Sequence, residues 1–443
     1  MKPAPDTFCI LPWINLEVRA DGRVAPCCLN TQVVPHANGS GDYYLYKDSI
    51  EEAYASPHLN QLRENLKCGI KDKSCERCWV SEANGIESKR QRENLHHQSE
   101  VKEILEAKEQ RLQPKRVDIK LGTFCNLKCR ICCPSSSSKW TEEFVSMYGT
   151  DLIPRENDEL KLLTADESRE RIASWVDQGA GFWTSMEKWL PGMEGFEFFG
   201  GEPFLNRRHF ELLKKSVTDG HSALQSLHYN TNGTVYPKDA VETIFPHFQR
   251  LTIFFSIDGL GPHFEYQRKG ADWEKVVDNI EKLRANTKAY IGIGITVGVF
   301  NIYYLPEFLD YWLAKKTPVF LNLVFSPDHF DVRAMPPALK QKVAEKLRRV
   351  DASRYDSILL TSFEGIISFM LSEDRSRYWP DFLNSVQRHD EYRSESFPAT
   401  FPEFHALIEE AARPPRPESA VRPSVWNTYG ALKDAVLKIV ARN

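Results

Sequence analysis

Hydrophobic positions along this chain recur with two different periods, and the period changes where the architecture should change. Between residues 116 and 335, apolar runs of five to nine residues end near Gly or Asn, and most are followed by stretches with apolar residues three and four apart. The runs predict strands over 117–124 (VDIKLGTF), 195–200 (GFEFFG), 225–231 (QSLHYNT), 251–257 (LTIFFSI), 290–298 (YIGIGITVG) and 318–325 (PVFLNLVF). The helical spacing falls over 207–218, 238–247, 272–287 and 303–316. Six strand–helix units in series imply an α/β fold with a parallel sheet, and runs apolar almost throughout read as strands buried on both faces. The even repeat favours a partial (β/α)6 barrel of the TIM type over two Rossmann halves, which places active residues at the carboxyl ends of the strands.

Outside that span the pattern is different. Residues 1–85 are short apolar stretches broken by turn residues; in INLEVRADGRVAPCCLN, Asp21-Gly22 sits between two alternating runs and predicts a hairpin. This is a small cysteine-rich domain. Residues 86–115 turn to Glu, Lys, Arg, Gln and His with sparse leucines, as a solvated helical linker closed by Pro114 would. From 336 to 443 only helices are suggested, interrupted by the Pro/Arg stretch 413–423. Beyond it, Val425, Tyr429, Leu432, Val436 and Ile439 repeat at helical spacing behind Ser424, which reads as a helix packed back on the barrel or as a partner contact. Segment 134–190, with Trp140, Trp175, Trp183 and Trp189, could cover the barrel mouth, although such aromatics are more often core.

Charge narrows the function by exclusion. With 57 basic and 61 acidic residues the net charge is −4, which offers no electrostatic footprint for nucleic acid or a membrane surface. No run of eighteen apolar residues and no secretory leader is present, so the expected location is cytoplasmic. Hydrophobic residues at 42% are ample for globular cores.

The cysteines carry more. All ten lie at or before residue 133, and in a chain without a secretory leader dense thiols read as metal or cluster ligands before disulfides. Cys125, Cys129 and Cys132 are spaced C-x3-C-x2-C at the end of the first barrel strand, one thiolate short of the four that usually hold a [4Fe–4S] cube. An iron left open can bind and activate a small molecule. This loop resembles the signature of the radical S-adenosylmethionine (SAM) enzymes, in which the amino and carboxylate groups of SAM chelate the free iron and reductive cleavage gives a 5′-deoxyadenosyl radical. Later strand ends agree. Gly200, Gly201, Glu202 and Pro203 resemble the family's GGEP motif, which binds the methionine amino group, and YNTNGT (229–234), with Asn232, and SIDG (256–259) resemble its further cofactor contacts. The resemblance places Ser256 and Asp258 near the ribose and carboxylate, and Arg268 on the methionine carboxylate. GIGITVG (292–298) and LNLVF (321–325) are only regionally similar to adenine-contacting segments.

A second constellation precedes the barrel: Cys9, Cys27, Cys75 and Cys78, four thiols that suit either a closed [4Fe–4S] cluster or tetrahedral zinc. The C-x12-G-x4-C piece through Gly22 resembles the SPASM/Twitch auxiliary-cluster domains of the same family, here ahead of the barrel where those usually follow it. Cys28, Cys68 and Cys133 lie off the spacing; either Cys28 or Cys68 could replace a ligand, with Cys68, seven residues before Cys75, the better stand-in, and Cys133 reads as a small buried residue beside the cluster.

The resemblance implies an enzyme that abstracts hydrogen from a substrate C–H bond, with an electron donor such as flavodoxin or ferredoxin, and a four-thiolate auxiliary cluster suited to taking an electron back. Net oxidation of a peptide or small natural product is the leading expectation. The alternatives are a redox-neutral epimerase or isomerase, which would need a hydrogen donor such as Tyr229 or Tyr266 because no cysteine follows residue 133, and a non-catalytic iron–sulfur or zinc sensor.

Overall fold

The computed structural model describes residues 4–106, 113–148, 152–155, 158–164 and 175–412. Six parallel strands follow one another in space as in sequence: β3 (Arg116–Lys120), β7 (Gly195–Phe199), β8 (Ser226–Thr231), β9 (Arg250–Ser256), β11 (Tyr290–Val297) and β12 (Val319–Leu323). Helices Arg208–Thr218, Trp273–Asn286 and Leu305–Ala314 fill three of the connections, and the shorter Lys238–Thr243 a fourth. This is the expected (β/α)6 sheet.

Burial refines the expectation that the strands are covered on both faces. It alternates strictly along β8 and nearly so along β9. Val117, Ile119, Phe198, Tyr229, Ile253, Phe255, Ile293 and Ile295 are fully buried on one face. Helix Arg208–Thr218 lays His209 against that face, its ring 4.6 Å from Phe198 and 5.8 Å from Tyr229. The opposite face, toward the barrel interior, carries Asp118, Glu197, His228, Asn230, Phe254 and Ser256. An incomplete barrel does not pack its inner face with a second helix layer, so polar residues persist there.

The amino-terminal region enters the same sheet. β1 (Asn15–Val18) runs parallel to β3 on its free edge, with Glu17 opposite Asp118, and β2 (Val24–Ala25) turns back antiparallel to β1. The turn between them is the expected Asp21-Gly22 hairpin: Gly22 has φ +82°, and a Cβ there would stand 3.3 Å from the Trp175 ring. In register across four strands, Glu17, Asp118, Glu197 and His228 form one polar row. Lys89, at the start of helix Lys89–His96, reaches Asp118 (3.3 Å) and Glu197 (3.7 Å); Arg116 pairs with Glu197 (2.9 Å), and Arg19 with Glu17 (3.3 Å). Residues 89–106 form two helices, Lys89–His96 and Gln98–Glu106, and the first supplies Lys89 to the barrel interior.

Within 134–190, the described residues include a helix (Trp140–Tyr148), an antiparallel pair, β5 (Leu152–Arg155) with β6 (Asp158–Thr164), and a helix Ala180–Trp189. Trp140, Trp175, Trp183 and Trp189 are all buried, so they are core. Helices Pro337–Leu347, Ser357–Leu371 and Trp379–Arg393 follow the barrel. A second unit begins at Pro402, and its described part is the helix Pro402–Ala412; the expected stretches 413–423 and 424–443 lie outside the described residues. No helix among the described residues is long and apolar enough to cross a membrane.

Candidate functional site

The loop after β3 is held by three local devices. Leu127, fully buried, packs with Cys125 and Cys129, and Cys132 closes on the same small cluster. β4 (Lys128–Cys129) pairs antiparallel with β10 (Arg268–Lys269), putting Cys129 directly opposite Arg268. Trp140 Nε1 donates to the Cys129 carbonyl (2.9 Å), and Arg130 N to that of Gln267 (2.8 Å). The three thiols therefore face one another in a fixed loop. Burial, with Cys129 nearby, pushes the Cys125 thiol up to about 11. A hydrogen bond with Cys132 holds Cys129 below the ordinary thiol value despite burial, and that bond and burial push Cys132 well above it.

The next strand ends converge on this loop. After β7, Gly200 (φ +81°) and Gly201 (φ +56°) adopt conformations that side chains disfavour. A Cβ on Gly200 would lie 2.8 Å from Lys120 Cβ, and one on Gly201 only 2.4 Å from the Phe124 carbonyl oxygen. Close approach between the GGEP turn and the cysteine loop is thus what excludes side chains here, and Glu202 N donates to that same Phe124 oxygen (2.9 Å). Glu202 is 1% exposed and ties the turn to the end of β8, accepting from Phe204 N (3.1 Å), Thr231 Oγ1 (2.8 Å) and Asn232 N (2.7 Å). Burial raises its carboxyl to about 7 against those hydrogen bonds. Pro203 opens the short turn that follows and is buried. Asn232 Nδ2 points back to the loop, 3.8 Å from Cys125 Sγ and 3.0 Å from Asn126 Oδ1.

At the end of β9, Ser256 is half-buried on the interior face opposite Gly294. Asp258 is buried and takes two donors of Arg268, Nε (2.9 Å) and Nη2 (2.7 Å), while its other oxygen accepts from Thr296 N (3.0 Å). A buried carboxylate needs a countercharge, and Asp258 obtains it from the guanidinium that also stands beside Cys129 and Cys132. Tyr229 and Tyr266 do not reach the interior: Tyr229 sits among Phe198, Phe204 and Phe245, and Tyr266 donates to Asp390 (2.8 Å).

The amino-terminal thiols gather separately. Cys9 interacts electrostatically with Cys75 and Cys78, and Cys27 with Cys9 and Cys78; burial raises all four thiols. Asn30 Nδ2 donates toward Cys75 Sγ (3.8 Å). Cys68 is exposed at the end of helix Pro57–Lys67 and is not among these partners, so geometry gives it no claim on the set. Cys133 is half-buried beside Ser135 Oγ (2.9 Å). Cys28 turns the other way, toward the barrel row: Lys89 Nζ lies 3.3 Å from its sulfur. Among the described residues no group of three or more His, Cys, Asp or Glu is already arranged to hold a metal ion; the thiols are neighbours rather than a closed polyhedron.

Both thiol groups fall within stretches that match known family models. The Radical SAM superfamily matches residues 119–310, and an iron–sulfur cluster-binding domain, SPASM, matches residues 9–79. The chain carries a radical SAM domain. A SPASM domain stands ahead of it, at the amino terminus, and the two domains imply a [4Fe–4S] cluster, SAM and auxiliary iron–sulfur clusters as cofactors. Similar solved structures include anSMEcpe with bound AdoMet (18% identity, TM-score 0.37, 54% of this chain and 59% of that one). Another is Streptococcus suis SuiB bound to precursor peptide SuiA (13% identity, TM-score 0.30, 68% of this chain and 52% of that one). The chain thus spans less than two thirds of either. No curated protein matches it. The residues present fit the cofactors: both groups are buried or half-buried thiols, the donor type that such clusters take.

Sequence reasoning missed residues whose partners are remote in the chain. Asp390, Arg393 and Glu395 are bound to Lys128 and Arg130 of the cysteine loop from the carboxyl-terminal region, and no spacing rule links positions 260 residues apart. Lys89 and Cys28 likewise join the barrel only through the β1–β3 pairing.

Proposed function

We propose that Cys125, Cys129 and Cys132 hold the radical SAM domain's [4Fe–4S] cluster, and that Gly200, Gly201, Glu202, Pro203, Asn232, Ser256, Asp258 and Arg268 line the SAM site at the strand ends. Cys9, Cys27, Cys75 and Cys78 then hold the auxiliary cluster. The observation that carries this reading is the convergence of the GGEP turn, Asn232 and the Asp258–Arg268 pair on one three-thiol loop. When bound, the cluster and SAM supply a 5′-deoxyadenosyl radical able to remove hydrogen from an unactivated C–H bond.

The chain's own residues do the rest. Glu202 fixes the turn against β8, and Asn232 joins it to the loop, so the strand ends move as one body. Arg268, opposite Cys129, offers positive charge where thiolates and a carboxylate would gather. The interior row of Glu17, Asp118, Glu197 and His228 forms the wall below, where Asp118 is pushed up to about 7 by burial and by Glu197, against Lys89. A carboxyl poised near neutrality can accept the proton that a substrate sheds on oxidation. The net reaction we favour is oxidation of a peptide or small natural product, for which the cluster that Cys9, Cys27, Cys75 and Cys78 would hold would supply an electron acceptor.

A second reading has one observation in its favour. No cysteine follows residue 133, yet the β1–β3 pairing brings Cys28 beside Lys89 and Asp118, giving the barrel wall a thiol that a redox-neutral epimerase could use as hydrogen donor. Anaerobic purification and assay for 5′-deoxyadenosine with reductant and SAM test the shared chemistry. The enzyme reading predicts its formation; none, from protein with full iron, would support a sensor. Deuterium uptake from solvent into recovered substrate would favour the redox-neutral outcome.

A further inference from the structure

Of the two residues between the second and third cysteines of the loop, the first is Arg130, and its side chain is fully buried. Its guanidinium points away from the thiols, into the carboxyl-terminal helices. Nη2 donates to Asp390 Oδ1 and Glu395 Oε2, both at 2.6 Å, Nε donates to the Tyr266 carbonyl (3.1 Å), and the plane lies 3.6 Å from the centre of the Tyr266 ring. Asp390 is itself held by the Tyr266 hydroxyl (2.8 Å) and by Phe397 N (2.6 Å). Glu395 takes Lys269 Nζ (2.7 Å) from β10, the strand paired with the loop.

A second strut runs beside it. Arg393 donates to Glu143 Oε1 (2.5 Å) and to the Lys128 carbonyl (2.9 Å), Lys128 Nζ meets Glu143 Oε2 (2.5 Å), and Arg393 lies over the Trp140 ring whose Nε1 holds the Cys129 carbonyl. Every residue of 128–130 is therefore bonded, directly or through one neighbour, to residues 390–395. Ordinary packing of a helix on a barrel needs only apolar contact. Two carboxylates converging on one buried guanidinium cost desolvation that apolar contact would avoid, and in return fix direction and distance.

We propose that residues 379–397 form a positioning element for the radical cluster: Asp390 and Glu395 grip Arg130 and thereby hold Cys129 and Cys132 at the separation that binding the cluster requires. The side chains of Asp390, Arg393 and Glu395 bond to Arg130, Lys128 and Glu143, so they act through the loop. The inference rests on the assignment of the cluster to Cys125, Cys129 and Cys132. It gives the carboxyl-terminal helices a role no motif in them discloses.

The test compares release of the two clusters in the full chain. Wild type and an Asp390→Asn/Glu395→Gln double variant are reconstituted anaerobically and challenged with an iron chelator, with release followed by absorbance and the reduced state by electron paramagnetic resonance. Neutralising both carboxylates leaves a buried guanidinium without countercharge, and iron release from the loop is expected to quicken about tenfold, with its resonance broadened. The same double substitution in a Cys125→Ala/Cys129→Ala/Cys132→Ala background, which keeps only the amino-terminal cluster, should leave release unchanged. Equal rates in wild type and variant would overturn the proposal. So would equal acceleration of both clusters, which would mean general loosening. Should the double variant not fold, Glu395→Gln alone keeps Asp390 on Arg130 and is expected to give a smaller acceleration of the loop cluster only; no change would overturn the proposal. Wild-type iron content in the triple-cysteine variant would instead refute the loop assignment, a failure distinct from that of the clamp.

Discussion

The two thiol groups differ in what surrounds them more than in what they are made of. Around the loop after β3 stand charges and polar ends from separate elements: Asn232, Arg268 with Asp258, and Asp390 and Glu395 on Arg130. The amino-terminal four are packed mainly by their own region, with Asn30 and Ser74 as polar neighbours, and Cys27 and Cys78 also feel the Lys89 and Arg90 charges. On the assignment proposed above, a three-thiol site on converging strand ends would admit a further ligand, and a four-thiol site within one small region would be complete. We propose that the same donor chemistry thus serves activation at one place and electron transfer at the other.

The most severe way to test that contrast is to remove one thiol from each. Cys129→Ala should abolish 5′-deoxyadenosine formation, whereas Cys78→Ala should leave SAM cleavage measurable and suppress turnover of substrate. If both variants lose cleavage alike, the division of labour fails. Next come the glycines, one in each region. Gly201→Ala forces a Cβ to 2.4 Å from a carbonyl oxygen at φ +56°, and thermal or chemical denaturation should show a loss of about 3 kcal/mol. Gly22→Ala meets only the Trp175 ring at 3.3 Å, with φ +82°, and should lose about 1–2 kcal/mol.

The smallest effect lies at the seam, where Asp118 of β3 faces Glu17 of β1. Its carboxyl is raised from 3.8 to about 7 by burial, with Glu197 and Glu17 adding and Lys89 and Arg116 opposing. Protonation therefore stabilises the fold: the contribution is complete below pH 3.8 and lost as pH rises through 7. Asp118→Asn should remove that slope, gaining about 1–2 kcal/mol on wild type between pH 4 and 8 in denaturant titrations; the gain is limited because Lys89 loses a partner. A difference independent of pH would place the titration elsewhere.

Much of this was legible in the chain because the information is local. Strand runs such as LTIFFSI and SLHYNT carry their own period, and the cysteine loop, the GGEP turn and SIDG each occupy a handful of consecutive residues. What stayed hidden depends on partners distant in sequence. β1 is four residues long, and only its pairing with β3, about a hundred residues on, makes it part of the barrel sheet. Nothing in the helix Trp379–Arg393 marks Asp390 as a partner of Arg130. The GGEP glycines were legible as glycines needed at a strand end, but the reason differs: the Phe124 carbonyl and Lys120 occupy the space a side chain would need. Arg268, expected on the methionine carboxylate, has two of its donors on Asp258, a pairing no spacing rule disclosed.

The claim on which the rest depends is that the loop's cluster keeps one iron free for SAM. Mössbauer spectroscopy of iron-57-reconstituted protein, with and without SAM, tests it most directly. The account predicts that SAM changes the signal of one iron in the cluster bound by Cys125, Cys129 and Cys132 and none in the cluster bound by Cys9, Cys27, Cys75 and Cys78. Spectra unmoved by SAM at both clusters, or a loop that binds zinc through four protein donors, would contradict it.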